Sequence, residues 1–343
     1  MSNSKIFFIL SGNNGATYVI CCNTFKSINE GLKFYKPVNL LGKLKKTALF
    51  GVLWIIGKLN LKMLKSLEVV NAYCADIVGK KIDFNLSENS SVLISPTRDK
   101  VIVNHHNKYF QKFAFGESHF NVKNESEVYR LLNSSDFFLI SEISDIQNDE
   151  DYCSFKLSHP STFSKHKTPP KPEILSEILV EFFNKVPLTF ISWQDYITGI
   201  KSKLKSSTLY DAFIMDIVNK IALNDFKLPL GLVHRDFKPW NILYGNPPLI
   251  YDFEETVFNG PPLEDFYNFY IDPIVRYQTP KNVLDTINSN DVKEALEDYV
   301  QNLQFEIPKE HLLVTYLVAR LLFWESRKDL DTANHYKKVL NAL

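Results

Sequence analysis

The sequence predicts an α+β protein in two lobes, a small antiparallel β lobe carrying one helix followed by a large, mainly helical lobe. Three observations lead there. Residues 92–158 string together short β-rich runs around a single helical stretch. The segment HPSTFSKHKTPPKP (159–172), with four prolines, then breaks the pattern. Beyond it the apolar spacing is helical over most of the way to residue 343.

Taken in order, residues 6–22 read as a hairpin, IFFIL and TYVICC around the turn-forming SGNNG. Residues 28–79 read as helices punctuated by Pro37 and Gly57, and the polar NLSENSS (85–91) closes them off. This gives an N-terminal extension over 1–85, a small lobe over 86–160 and a large lobe over 161–343. In the small lobe SVLIS, KVIVN and KYFQKFAF form a meander, NESEVYRLLN (124–133) is the helix with Asn124 as its N-cap, and FFLISEIS and YCSFKLS resume the strands. In the large lobe Leu209, Phe213, Ile217 and Ile221 recur every four residues, the core face of a long helix ending near Leu223. A second helical run, IPKEHLLVTYLVARLLFWESRK, starts at Pro308.

With 45% apolar and 23% charged residues the chain is that of a folded protein, and 39 basic against 39 acidic residues indicate no large electrostatic footprint for nucleic acid, while leaving room for a local patch. Cys21, Cys22, Cys74 and Cys153 form no CxxC pair, so they read as reduced, packed thiols of a cytoplasmic protein. The longest apolar block, TALFGVLWIIG (47–57), is eleven residues, about half of what a bilayer crossing needs. Lys43, Lys45, Lys46, Lys58 and Lys62 flank it. It is expected to be a buried helix, with peripheral contact to a membrane through 43–62 as the alternative.

The chemistry concentrates in GLVHRDFKPWNILYGNPPLIYDFEE (231–255). Asp236 and Asn241 stand five residues apart across Pro239, which forbids a regular helix and forces a loop. NILY and LIYDF are short strands joined by GNPP, a hairpin that returns Asp252 beside Asn241. Three oxygen-bearing side chains therefore converge. Carboxylate and amide oxygens suit a hard cation such as Mg²⁺ held together with substrate phosphates. Asn241 and Asp252 take the metal, and Asp236 is left to accept a hydroxyl proton.

HRDFKPWN followed by YDF resembles the signature of protein-kinase-like proteins, H-x-D-x-x-x-x-N with a downstream metal-binding aspartate. The resemblance implies a bilobal kinase-like fold, Asp236 as catalytic base, Asn241 and Asp252 as Mg²⁺ ligands and His234 as a brace of the loop. It also implies a strand lysine on the nucleotide phosphates, paired to a helix glutamate. Lys108 and Lys112 fall on one face of KYFQKFAF, and Lys112, flanked by apolar residues, is the better placed. Glu125 shares a helix face with Val128, Tyr129 and Leu132, whereas Glu127 shares one with Arg130 and points to water. The expected pair is Lys112 with Glu125. The loop between VLIS and KVIV reads SPTRD, without the family's glycines, so Ser95 and Thr97 are its donors to phosphate.

A Ser/Thr protein kinase would insert an activation segment and peptide platform of several tens of residues after the metal aspartate. Here Asp265, the expected brace of the catalytic loop, follows Asp252 by thirteen residues, and the triplet is Asp-Phe-Glu. HxDFxPWNIL with DFE and GPPLEDF instead resembles the aminoglycoside phosphotransferase/choline kinase superfamily, in motif style the phosphotransferases of bacterial surface-polysaccharide loci. That implies transfer of the γ-phosphoryl of ATP, or another nucleoside triphosphate, to a hydroxylated small molecule or sugar, with Lys238 near the transferred group. A catalytically inactive nucleotide-binding scaffold is the second reading, and a protein kinase the third. Arg235 is read as a brace, Trp240 as packed beneath the loop, and the pair His105–His106 as a turn without partners.

Overall fold

The computed structural model describes residues 6–343 apart from 12–14, 35–39, 79–83, 85, 96–98, 107, 151, 159–168, 225, 304 and 306–307. The expected linker and Thr97 thus fall mostly or wholly outside the described residues. The chain forms two compact units, residues 1–131 with 141–163, and residues 132–140 with 164–343.

The first unit is built on one antiparallel sheet. Its strands are β1 (Phe7–Ser11), β2 (Thr17–Cys21), β3 (Ser91–Ser95), β4 (Lys100–Asn104), β5 (Tyr109–Phe115), β6 (Ile143–Asn148) and β7 (Tyr152–Ser158), in the spatial order β1-β2-β3-β4-β5-β7-β6. The hairpin assigned by sequence to an extension is hydrogen-bonded into this sheet, Val19 opposite Val92 and Thr17 opposite Ile94. The reason is visible in β2, whose side chains alternate between two cores, as the two-residue period of a strand requires. Val19 and Cys21 join Val92, Ile94, Val101, Val103 and Phe113, with Val70 and Cys74 of α3 (Leu67–Val78). Ile20 and Cys22 join Ile28 of α1 (Phe25–Gly31) and Leu53 and Ile56 of α2 (Leu40–Lys58).

Gly57 does not punctuate these helices; it lies inside α2. A Cβ there would stand 2.3 Å from the Cys22 carbonyl oxygen, so glycine is what lets α2 lie on the strand. Gly57→Ala gains about 1 kcal/mol of helix propensity but forces a backbone clash costing about 1–3 kcal/mol. The melting temperature of the variant is expected to fall, and a rise in a thermal scan would count against the close approach. The four cysteines are free and buried, and burial pushes the Cys22 and Cys74 thiols up to about 12.

The helix of the small sheet, α4, runs Ser118–Leu131, so Asn124 is mid-helix rather than its cap. FFLIS is not part of β6: Leu139 bridges Leu249 instead. His105 and His106 do have partners, the Ser90 Oγ at 3.3 Å from His105 Nδ1 and the Ser91 Oγ at 3.2 Å from His106 Nε2.

The second unit opens with α5 (Pro172–Phe183), β8 (Thr189–Ser192), α6 (Trp193–Ser206) and α7 (Ala212–Ile221). The long helix expected up to Leu223 is therefore two shorter ones. Asp211 caps α7 by accepting from the Phe213 N–H at 2.9 Å. That start sets a different register: Ile214, Met215, Val218 and Ile221 are buried, while Phe213 is 51% exposed. The strand β9 (Lys227–Val233) follows, between β8 and β12 (Val257–Gly260), and a two-residue ribbon pairs β10 (Ile242–Leu243) with β11 (Leu249–Ile250). The remainder is helical: α8 (Glu264–Tyr270), α9 (Asp272–Val275), α10 (Pro280–Ile287), α11 (Asn290–Leu303), α12 (Lys309–Ser326) and α13 (Leu330–Leu340). Phe266, Tyr267 and Phe269 of α8 are core, as the sequence suggests.

Candidate active site

The site starts from β9, which delivers the loop 234–241. His234 is fully buried, and burial lowers its affinity for a proton. Its Nε2 lies 3.1 Å from the Tyr251 carbonyl, which can only accept, so Nε2 carries a hydrogen. The next residue, Arg235, has φ +61°. That left-handed turn is held by Asp265, whose two carboxylate oxygens accept from the His234 N–H at 2.7 Å and the Arg235 N–H at 2.8 Å. The Arg235 Nε meets Glu264 at 3.1 Å, and the Asn268 amide donates to the Arg235 carbonyl at 2.9 Å.

Burial pushes the Asp265 carboxyl up to about 7, against the two backbone N–H groups that favour its charged form. Asp265→Asn presents an NH₂ to one of those donors and leaves it unpaired. It is expected to cost about 1–3 kcal/mol in denaturant unfolding, and an unchanged midpoint would show that the brace is dispensable.

Asp236, Lys238 and Asn241 come together at the end of the loop. The Asn241 Nδ2 donates to the Asp236 carbonyl at 2.9 Å and to its carboxylate at 2.6 Å. Both acceptors are oxygens that cannot donate, so the amide orientation is fixed and its oxygen faces away from Asp236. The Lys238 Nζ lies 2.5 Å from Asp236 Oδ1 and 2.8 Å from Asp272 Oδ2. Asp252 follows directly on Tyr251, whose N–H donates to the Asn241 carbonyl at 3.2 Å. It takes a left-handed φ of +70° at the start of a short 3₁₀ turn, Phe253–Glu255, not a strand position. Carboxylate oxygens of Asp252 and Glu254 lie within 4.8 Å of each other.

Sequence reasoning missed what stands behind Lys238. Asp272, at the start of α9, accepts from Arg320 at 2.9 Å and from the Tyr336 hydroxyl. Burial opposes its charge, but Arg320 and Lys238 outweigh burial and hold the carboxyl at about 2. Only the contact order is at fault: Arg320 is 48 residues from Asp272 and Tyr336 is 64. Trp240 is not packed beneath the loop; it is 47% exposed, with the Lys238 Nζ 5.6 Å from its ring.

In the first unit, Lys112 of β5 and Glu125 of α4 form a buried pair with Nζ 2.6 Å from Oε2. Glu127 is exposed, and Lys108 is exposed in the turn before β5 rather than on its face. Ser95 is half-buried at the end of β3 opposite Lys100, with β4 separating its strand from that of Lys112.

Residues 199–299, which contain the loop, the ribbon, Asp252 and Asp265, match the model of the phosphotransferase enzyme family. The match covers less than a third of the chain and is a likeness of that segment. No curated protein matches the chain. Similar solved structures include a gentamicin complex of APH(2")-IIa, at 17% identity and TM-score 0.45, covering 72% of this chain and 89% of that one. ADP-bound aminoglycoside phosphotransferase APH(2'')-Ib has 17% identity and TM-score 0.44, covering 72% and 92%. A thermostable mutant of APH(4)-Ia with AMP-PNP and hygromycin B has 13% identity and TM-score 0.44, covering 80% and 98%. At these values none of the three assigns an activity to this chain.

Proposed function

We propose that the protein is a kinase that transfers the γ-phosphoryl group of ATP, or another nucleoside triphosphate, to a hydroxyl of a sugar or other small polyol. The observation that carries this reading is Asp236 held between Lys238 and Asn241, with Asp252 just past the ribbon, next to the Tyr251 whose N–H bonds the Asn241 carbonyl. In the reaction Asp236 orients the acceptor hydroxyl and takes its proton as the new oxygen–phosphorus bond forms and the bond to the leaving diphosphate breaks. Lys238 places positive charge beside that transfer. Lys112, fixed by Glu125, grips the α/β-phosphates, and Ser95 and Thr97 donate to the phosphate tail.

The donor set fits Mg²⁺: the Asn241 amide spends both its hydrogens on Asp236 and so offers only oxygen, and Asp252 and Glu254 add carboxylates. Bound there by Asn241 and Asp252, the ion would offset the charge of the phosphate oxygens. Trp240 offers a half-exposed flat face of the kind that suits a sugar ring. The motif style supports an acceptor drawn from bacterial surface-polysaccharide assembly, and the four free, buried cysteines support a cytoplasmic setting.

The glycine-free SPTRD loop favours one competing reading, a nucleotide-binding scaffold without turnover. Radiolabelled ATP with Mg²⁺ and a panel of sugars, nucleotide sugars and polyols decides between them. Label transfer to a hydroxyl is expected. Stabilisation by Mg·ATP in a melting assay with no transfer to any acceptor would instead support the scaffold, and transfer to a generic protein would point to a protein kinase.

A further inference from the structure

Helix α2 carries two apolar faces, and the fold uses only one. Leu53 and Ile56 are buried against β2 and α1. On the other side Leu44, Val52, Ile55 and Leu59 are each more than half exposed, with the small exposed Ala48 between the first two. At about 100° per residue these five positions fall within a sector of about 80°. Past the helix end Met63 is also 55% exposed. Phe25 of α1, 58% exposed, packs its ring 4.4 Å from Phe50 and 5.8 Å from Trp54, on the far side of Lys58 from this stripe.

The rim of this stripe is cationic. By the same helical geometry Lys58 flanks one edge and Lys45 the other, and Lys43, Lys62 and Lys65 are exposed nearby. No Asp or Glu occurs between Glu30 and Glu68, a span holding eight lysines, in a chain whose 39 basic and 39 acidic residues otherwise cancel. The excess is local.

We propose that this face of α2 lies on an anionic lipid surface, with Val52, Ile55, Leu59 and Met63 among the acyl chains and the lysines on the headgroups. The charge pattern selects this occupant. A second copy would bring one lysine rim against another, and a nucleic acid would leave the aliphatic stripe uncovered. Among the described residues no helix is long and apolar enough to cross a membrane, so the helix rests in the interface. The inference is independent of phosphoryl transfer and needs no turnover to test.

The experiment is co-sedimentation of the full chain with phosphatidylcholine vesicles, with and without phosphatidylglycerol, at low and high salt. Binding is expected to require phosphatidylglycerol and to weaken with salt. The exposed-face double variant Ile55→Glu/Leu59→Glu should bind more than about tenfold more weakly. The set Lys43→Gln, Lys45→Gln and Lys58→Gln should lose about fivefold per lysine. Thermal melting of each variant checks that the buried face still holds α2. Absence of binding, or equal binding by wild type and both variants, overturns the proposal. So does a doubling of mass in sedimentation velocity that Ile55→Glu abolishes without vesicle binding, or binding to RNA in preference to vesicles.

Discussion

Asp236→Ala is expected to lower turnover by about 10²- to 10⁴-fold, the range that a positioned general base contributes. The substitution also removes the carboxylate on which the Asn241 amide is oriented, since Asn241 Nδ2 reaches that group at 2.6 Å. Asn241 keeps its second bond, to the Asp236 carbonyl at 2.9 Å, so its side chain stays in place. Nucleotide binding should therefore survive: the melting shift produced by Mg·ATP is expected to persist while label transfer to the acceptor disappears. Turnover within a fewfold of wild type would remove Asp236 from the chemistry. Loss of the nucleotide-induced shift along with turnover would mean that Asp236 holds the metal rather than the proton.

Asp272→Asn is expected to be the most damaging substitution for stability. It leaves Lys238 and Arg320, buried at 6% and 2% exposure, facing a neutral amide. Removing one partner of a buried ion pair costs about 3–5 kcal/mol, read as a lower urea midpoint with an unchanged slope. The effect has a pH signature whose sign follows from the direction of the shift. The folded carboxyl sits at about 2, below the usual value for an aspartate. A depressed acid contributes stability that is complete above its unfolded pKa of about 3.9 and is lost as pH falls toward the folded value. The gap between wild type and variant should therefore narrow by about 2 kcal/mol between about pH 5 and pH 2. A gap constant over that window would mean that shape and hydrogen bonding, not charge, set the role of Asp272.

The contrast between Asp236 and Asp272 shows what a chain discloses before it folds. Asp236, Lys238 and Asn241 lie within six residues, and the Pro239 that breaks the helix between them is itself written in the motif. Glu125 could be told from Glu127 because a helix face is a local, periodic property. Asp272, Arg320 and Tyr336 belong to different helices, and no periodicity links them. The start of α7 was misjudged for a related reason: the apolar run begins before Asp211, yet the cap at Asp211 fixes which residues turn inward. The hairpin of residues 7–21 is the plainest case. Its strand character was legible, but the pairing of β2 with β3 spans about seventy residues and depends on two cores forming on opposite sides of one strand.

That double duty of β2 bears on how the protein can be cut. A fragment begun at residue 86, where the familiar motifs start, would turn β3 into an unpaired sheet margin and strip Val92, Ile94 and Val101 of the neighbours that shield them. Open margins of that kind recruit other chains, so such a fragment should aggregate, and a recombinant catalytic piece needs everything from β1 onward.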